Sequence, residues 1–275
     1  MKIYKYQATG NDFLIIDDRE DVINLSDEEI IHLCDRRYGI GADGIIMLKH
    51  SSSHDFRMAF YNNDASAGMM CGNGGRCIVA FAEELGIKPG LDNGAYIFDT
   101  PVGVRHGIIN KSCGGGRKIV TLYMGDVSDI EVIDSKYHLN TGTEHLVIFR
   151  DDTENIDIIS EGRKWRYDPQ FAPGGTNVDF VQITGENSFR IRTYEKGVES
   201  ETYSCGTGVI AASIATRLKT LSDKDNSRIE PCSYNIRALR DDLKVHFLHH
   251  TDSNLFENIE IQGETQLVFT TDYLL

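Results

Sequence analysis

The feature that most constrains this chain is a four-residue pattern that occurs twice. Cys71-Gly72-Asn73-Gly74 and Cys205-Gly206-Thr207-Gly208 each lead into a run with helical character. The echo continues upstream. Tyr61 lies ten residues before Cys71 and Tyr194 eleven before Cys205, while Thr9-Gly10-Asn11-Asp12-Phe13 is answered by Thr176-Asn177-Val178-Asp179-Phe180. A single Cys-Gly-x-Gly is an ordinary coincidence. Two copies, each opening a helix and each preceded by similar strands, point to a duplicated unit of mixed helix and strand with a buried helix in each half. The period is too long for a solenoid.

Most of the chain reads as short strands. Alternating or β-rich runs fall at 2–7, 12–18, 54–61, 95–109, 117–124, 145–150, 178–184, 188–194, 233–238, 242–248 and 257–269. Three segments read as helices. In the first, Ser26 caps the N-terminus, Glu29 completes a capping box, and Gly39 ends the helix after Arg36 and Arg37. The second follows Cys71, with Ile78, Val79, Phe81, Ala82 and Leu85 on an apolar face and Gly86 as its stop. The third follows Cys205 and is apolar nearly all round, as expected of a buried helix. Gly114-Gly115-Gly116 is the best candidate for a linker between halves, although a glycine triplet also suits a hairpin tip. The halves are thus expected at 1–116 plus about 264–275, and at 117–263.

A thiol at a helix N-terminus meets the positive end of the macrodipole and unpaired backbone N–H groups, both of which favour thiolate. The neighbouring glycines let backbone approach a ligand, and the N–H groups can hold a carboxylate. Two such units suit inversion of a stereocentre, which needs a base on one face of a carbon and an acid on the other. Thiolate and thiol are one group in two protonation states, so a pair of them works in both directions. Removing a proton beside a carboxylate also demands dense electrostatic stabilisation, which helix N-termini supply.

The 275 residues suffice for one large or two ordinary domains, and 40% hydrophobic with 25% charged residues is normal for a soluble protein. With 42 acidic against 28 basic residues the net charge is −14, which argues against nucleic acid and anionic membranes as partners. The N-terminus lacks the apolar core of a signal peptide, and the uncharged stretch Thr202–Thr216 is too short to span a bilayer. A cytoplasmic location with reduced thiols is therefore expected. The six cysteines contain no Cys-x-x-Cys pair, so a zinc ribbon or thioredoxin-like site is not expected, and no metal is. Cys34, Cys77, Cys113 and Cys232 read as packing residues, and Trp165 as a residue of a polar loop that packs locally.

Taken together, these motifs resemble the diaminopimelate epimerase family over essentially the whole chain. The resemblance rests on Thr9–Phe13, on Tyr61-Asn62-Asn63-Asp64, on Met70 through Cys77, on Thr176–Val181, and on Arg192-Thr193-Tyr194-Glu195-Lys196-Gly197 leading to Cys205. It implies an α+β fold of two pseudo-symmetric domains, each a mostly antiparallel sheet wrapped around a central helix. It further implies no cofactor, a homodimer, and interconversion of LL- and meso-diaminopimelate. Cys71 and Cys205 would be the two bases, with Cys71 acting on the LL isomer and Cys205 on the meso. Asn11, Asn62, Asn177, Glu195 and Lys196 would hold the substrate, with Gly72, Asn73, Gly206 and Thr207 on its α-carboxylate through their backbone. His145 and Glu195 would tune the thiols, and Phe269 falls near an aromatic dimer contact, where core burial is equally open.

Four positions depart from the family pattern. Lys196 stands where arginine is usual, which keeps the charge and weakens bidentate binding. Thr143 replaces an asparagine expected to bind the far end of the substrate, Gly44 replaces a glutamine, and Ala65 a glycine. Related readings remain. A proline-type racemase shares the two-cysteine logic, but usually carries histidine at the Asn73 position and proline at that of Ser204. A thiol redox protein, a catalytically inactive binding module and a phenazine-type isomerase fit less well, the last because it lacks the cysteine pair. Glu195-Lys196 could also be an ordinary surface ion pair.

Overall fold

The computed structural model describes residues 1–68, 70–221 and 228–274. It divides into unit 1, Met1–Leu122 with Gln262–Leu275, and unit 2, Tyr123–Ile261. The crossing falls at Leu122–Tyr123, six residues beyond the glycine triplet. Gly114–Gly116 instead forms the turn between two strands, all three glycines with positive φ.

Unit 1 is a mixed sheet of β1 (Lys2–Ala8), β2 (Asn11–Asp18), β3 (Gly44–Lys49), β4 (Phe56–Asn62), β5 (Tyr96–Thr100), β6 (Gly103–Gly114) and β7 (Arg117–Tyr123). The last residues of β16 (Leu255–Asp272) pair antiparallel with both β1 and β7, which closes the sheet on itself in a barrel-like way. β2 with β3, and β4 with β5, run parallel. The apolar run of β3 escaped the reading of the sequence. The run 95–109 proves to be two strands, β5 and β6, that pair antiparallel across a turn at Pro101 and Val102, with Gly103 opening β6 at φ +105°.

Two helices serve this unit. α1 (Asp27–Cys34) has the expected capping box: the Glu29 N–H donates to Ser26 Oγ, and the Ser26 N–H donates to the Glu29 carboxylate. It ends at Asp35 rather than Gly39, because the Asp35 carboxylate accepts the N–H groups of Arg37 and Tyr38 and turns the chain there. α2 (Gly72–Glu84) is buried along Gly72–Ala82, and so on every side rather than along one stripe. It packs on β1, β2, β3 and β6. Leu85 caps it and Gly86, at φ +72°, turns the chain away.

Unit 2 contains β8 (Ile130–Ile133), β9 (Lys136–Asn140), β10 (Glu144–Phe149), β11 (Asn177–Gly185), β12 (Ser188–Glu195), β14 (Ile229–Arg237) and β15 (Asp242–His250), ordered as named and followed by the first part of β16. The short β13 (Ser200–Thr202) pairs with β12. β10 with β11, and β12 with β14, are parallel. α4 (Gly206–Thr220) is buried through Thr216 and packs on β9 to β12, β14 and β15. β8, β9 and β13 were not anticipated, nor was α3 (Ile158–Arg166), capped by Asp157. Trp165 lies on α3 and not in a loop. It packs beside Phe180 and Tyr194 in the apolar cluster, with Lys136 Nζ 4.6 Å from its ring centre. Phe269 on β16 is 43% exposed, so core burial is not its role. Among the described residues no helix is long and apolar enough to cross a membrane.

Candidate active site

The two motif cysteines occupy the same local position in their units. Cys71 is the N-cap of α2 with φ −111° and ψ 120°, and Cys205 is the N-cap of α4 with φ −108° and ψ 114°. An extended residue ahead of a helix holds its side chain beside the first-turn N–H groups. Gly72, Asn73, Gly206 and Thr207 form those first turns. Among the described residues the six cysteines form no disulfide.

In unit 1, Cys71 Sγ donates to Asn11 Oδ1 at 3.3 Å, and Asn73 Nδ2 donates to the same oxygen at 3.3 Å. Asn73 Oδ1 accepts from Thr9 Oγ1 at 3.1 Å and from the fully buried Arg76 at 2.7 Å. Asn11 is fixed from its other end, where Nδ2 donates to Asp43 at 2.7 Å. Arg36 bridges Asp43 and Asp12, and Lys5 pairs with Asp12 from β1. Burial pushes the Asp12 carboxyl up, but hydrogen bonds from Arg36 and Lys5 outweigh it and bring Asp12 down to about 2. Asn62 is held in its own turn, donating to Ser66 Oγ at 2.9 Å.

In unit 2, Cys205 is 9% exposed and lies 3.2 Å from Thr207 Oγ1. Burial pushes its thiol well above the ordinary cysteine range. The carboxylates of Glu195 and Asp179 push it further, against the Thr207 hydroxyl and the Gly208 N–H. At this position loss of water outweighs the helix terminus, which favours the thiol form of Cys205 over the thiolate. His145 lies 2.9 Å from Thr207 Oγ1 through Nε2 and 2.7 Å from Asp179 through Nδ1. Asn177 donates to the Glu144 carbonyl and accepts the Lys196 N–H, each at 2.8 Å.

Glu195 is half-buried and acts on the Cys205 sulfur, whereas the Lys196 side chain is exposed. Lys196 borders a cleft of about 400 Å³ within unit 2, together with His138, Glu144, Gln170 and Phe171. Thr143 is exposed, but its hydroxyl lies 3.0 Å from His145 Nε2 and 3.1 Å from Thr207 Oγ1. Gly44 has no room for glutamine, since a Cβ there would stand 2.5 Å from the Tyr61 carbonyl oxygen. Asp179, Thr193, Thr9 and Arg76 lie within the sequence motifs but carry no expected role in the site there. Asp179 carried a usable signal, because it lies two residues beyond Asn177 on a strand and so shares its face. Among the described residues no group of three or more His, Cys, Asp or Glu is placed to hold a metal ion.

Solved structures with the same fold include a phenazine biosynthesis protein of the PhzF family from Bacillus anthracis. Its TM-score is 0.71 at 14% identity, covering 100% of this chain and 99% of that one. Another is a hydroxyproline epimerase from Agrobacterium vitis with bound trans-4-hydroxy-L-proline, with TM-score 0.65, 14% identity and coverage of 98% and 91%. The class is thereby defined by its fold, the one these two structures share. A diaminopimelate epimerase from Flavobacterium psychrophilum is 41% identical over 272 residues, covering 98% of this chain and 99% of its own. One from Aquifex aeolicus is 36% identical, with coverage of 94% and 96%. The family profile described as diaminopimelate epimerase matches residues 3–130 and 137–237. The chain belongs to the diaminopimelate epimerase family.

Proposed function

We propose that this chain interconverts LL- and meso-diaminopimelate without a cofactor, with Cys71 and Cys205 exchanging a proton with one substrate carbon. The observation that carries this reading is the matched pair of N-cap cysteines on two buried helices, in a chain of this family. The same match supports pseudo-symmetric halves, each a mostly antiparallel sheet around its helix. One thiol gives a proton as the other thiolate takes one, so the sulfurs end with their roles exchanged. Cys205, held as a thiol, begins as the acid. Because it takes the proton from the meso isomer only as thiolate, the enzyme alternates between two protonation forms.

In this reading the N–H groups of Gly72, Asn73, Gly206 and Thr207 bind the α-carboxylate and stabilise charge developing on it. Asn11, Asn62, Asn177, Glu195 and Lys196 hold the rest of the substrate. His145 and Glu195 tune the thiols. The protein acts in the cytoplasm in lysine and cell-wall precursor synthesis, as a homodimer, with exposed Val268 and Phe269 on β16 as part of the contact.

The test is incubation with candidate amino acids in heavy water under reductant, with deuterium at the α-carbon followed by NMR. Exchange is expected with LL-diaminopimelate and almost none with proline, and either Cys71→Ala or Cys205→Ala abolishes epimerisation. Exchange with proline alone would reassign the substrate. Near-normal turnover in either variant would remove the two-thiol mechanism.

A further inference from the structure

The Cys205 thiol is buried beside carboxylates, yet the reaction requires it to lose its proton. The structure shows where that proton can go. His145 and Asp179 are both 0% exposed, with Nδ1 of one 2.7 Å from Oδ2 of the other. A carboxylate cut off from water needs donors on its oxygens. Thr193 Oγ1 donates to Asp179 Oδ1 at 2.6 Å, and His145 serves the other oxygen. Nδ1 therefore carries a proton, and Nε2 faces the hydroxyls of Thr207 and Thr143 at 2.9 and 3.0 Å. Thr207 Oγ1 in turn meets Cys205 Sγ at 3.2 Å.

The start of α4 is built to lie close on this pair. A methyl group at Gly208 would stand 2.5 Å from Asp179 Oδ1 and 3.1 Å from His145 Cε1. The matching glycine of unit 1, Gly74, faces the aliphatic ends of Ile46 and Met58 instead. Of the two motifs, it is the second that rests on titratable groups.

We infer that Thr207, His145 and Asp179 form a buried relay that receives the Cys205 proton, with Asp179 a positioning residue acting through His145. This rests on the reading of Cys205 as an acid–base group. In the thiol form, Cys205 S–H donates to Thr207 Oγ, the Thr207 hydroxyl donates to His145 Nε2, and His145 Nδ1–H donates to Asp179. On transfer the S–H bond breaks and its proton joins Thr207 Oγ, while the proton already on Thr207 passes to Nε2. The products are a thiolate accepting from Thr207 and an imidazolium held on the Asp179 carboxylate. Net charge is unchanged, so the step needs no exchange with solvent. Thr143, steadied by Asn177 Nδ2 at 3.3 Å, completes the lining around Nε2.

The relay predicts a sign opposite to simple electrostatics. The groups facing Cys205 are His145 and Thr143 from β10 and its lead-in, Asp179 from β11, Glu195 from β12, and Thr207 with the Gly208 N–H from α4. Acting through space, Asp179 opposes the thiolate, so its removal would make Cys205 more reactive. Acting through His145, it stabilises the imidazolium, so its removal makes Cys205 less reactive.

The experiment is substrate-free alkylation of the full-length, freshly reduced protein by iodoacetamide. Mass spectrometry resolves Cys205 from Cys71 across neutral pH. Asp179→Asn is expected to slow Cys205 at least about tenfold, equivalent to one pKa unit, and to remove its neutral-pH plateau while leaving the Cys71 profile in place. Thr207→Val is expected to do the same, and Thr207→Ser to keep a rate close to wild type. Should Asp179→Asn fail to fold, the Thr207 pair decides. An unchanged or faster Cys205 in Asp179→Asn, or equal rates in the Val and Ser variants, overturns the relay. Because no substrate is present, failure here is distinct from failure of the deuterium exchange above, which would remove the assigned function instead.

Discussion

Ala65 holds φ at +66°, a conformation that costs a residue with a Cβ roughly 1–2 kcal/mol. It closes the turn in which its own N–H donates to the Asn62 carbonyl and Asn62 reaches Ser66. Glycine would relieve the strain but would add unfolded-state entropy of about 0.4–1 kcal/mol. Ala65→Gly should therefore stabilise the protein by about 0.5–1 kcal/mol, read as a higher urea midpoint at unchanged slope. A lower midpoint would mean that this turn gains more from restricting the unfolded chain than it loses to strain. The departures from family pattern thus differ in kind. Ala65 is local backbone strain, Gly44 is a packing limit under Tyr61, and Thr143 faces the His145 cluster.

At the level of elements, the Asp12 network ties β1, β2 and the α1–β3 connection together through Lys5, Arg36 and Asp43. The folded carboxyl titrates near 2 against an ordinary value of 3.8, so its pKa is depressed. A depressed carboxyl contributes stability that is fully present above its unfolded value and lost as pH falls through its folded one. Allowing for the exposed side of Arg36, that contribution is about 1–2 kcal/mol at neutral pH. Asp12→Asn should show that deficit at pH 7, and the deficit should shrink below pH 4 and vanish only below about pH 2. Urea titrations at matched pH check it, and a deficit constant with pH would show that Asp12 acts through packing instead. The elements that were legible in the sequence share a local cause. Ser26 with Glu29 announces α1, and the cysteine–glycine starts announce α2 and α4. What escaped was set by tertiary context. α3 carries only two buried residues, Ile158 and Gly162, too few for a periodic stripe. β3 is apolar on both faces and so shows no alternation, while β8 and β13 are short and only partly buried. In the site, Cys205 and His145 stood out by motif and family. Asp179 shared a motif and a strand face with Asn177, but its role did not show, because an acidic residue in a strand looks exposed until the helix packed on it is known to begin with glycine.

For the whole molecule, 42 acidic against 28 basic residues leave a surplus of −14 that must be held at close quarters. Like charges spread over a folded surface repel one another more than in the expanded chain, so the surplus works against folding. Salt screens that repulsion, with a Debye length of about 10 Å at 0.1 M. Salt also weakens favourable exposed pairs such as Arg19–Asp17 and Arg237–Asp242, but pairs of that kind are worth little individually. The better-buried contacts, His145–Asp179 among them, are screened far less. The balance favours stabilisation by salt. Raising potassium chloride from about 0.02 to 0.5 M should lift the melting temperature by roughly 2–4 °C, about 1 kcal/mol for a chain of this length. Chloride rather than sulfate is the informative choice, because sulfate strengthens apolar burial by exclusion and would lift the transition whatever the charge balance. A fall in melting temperature with chloride would show that specific ion pairs outweigh the net surplus. The acidic excess would then be an organised network rather than a load on the fold.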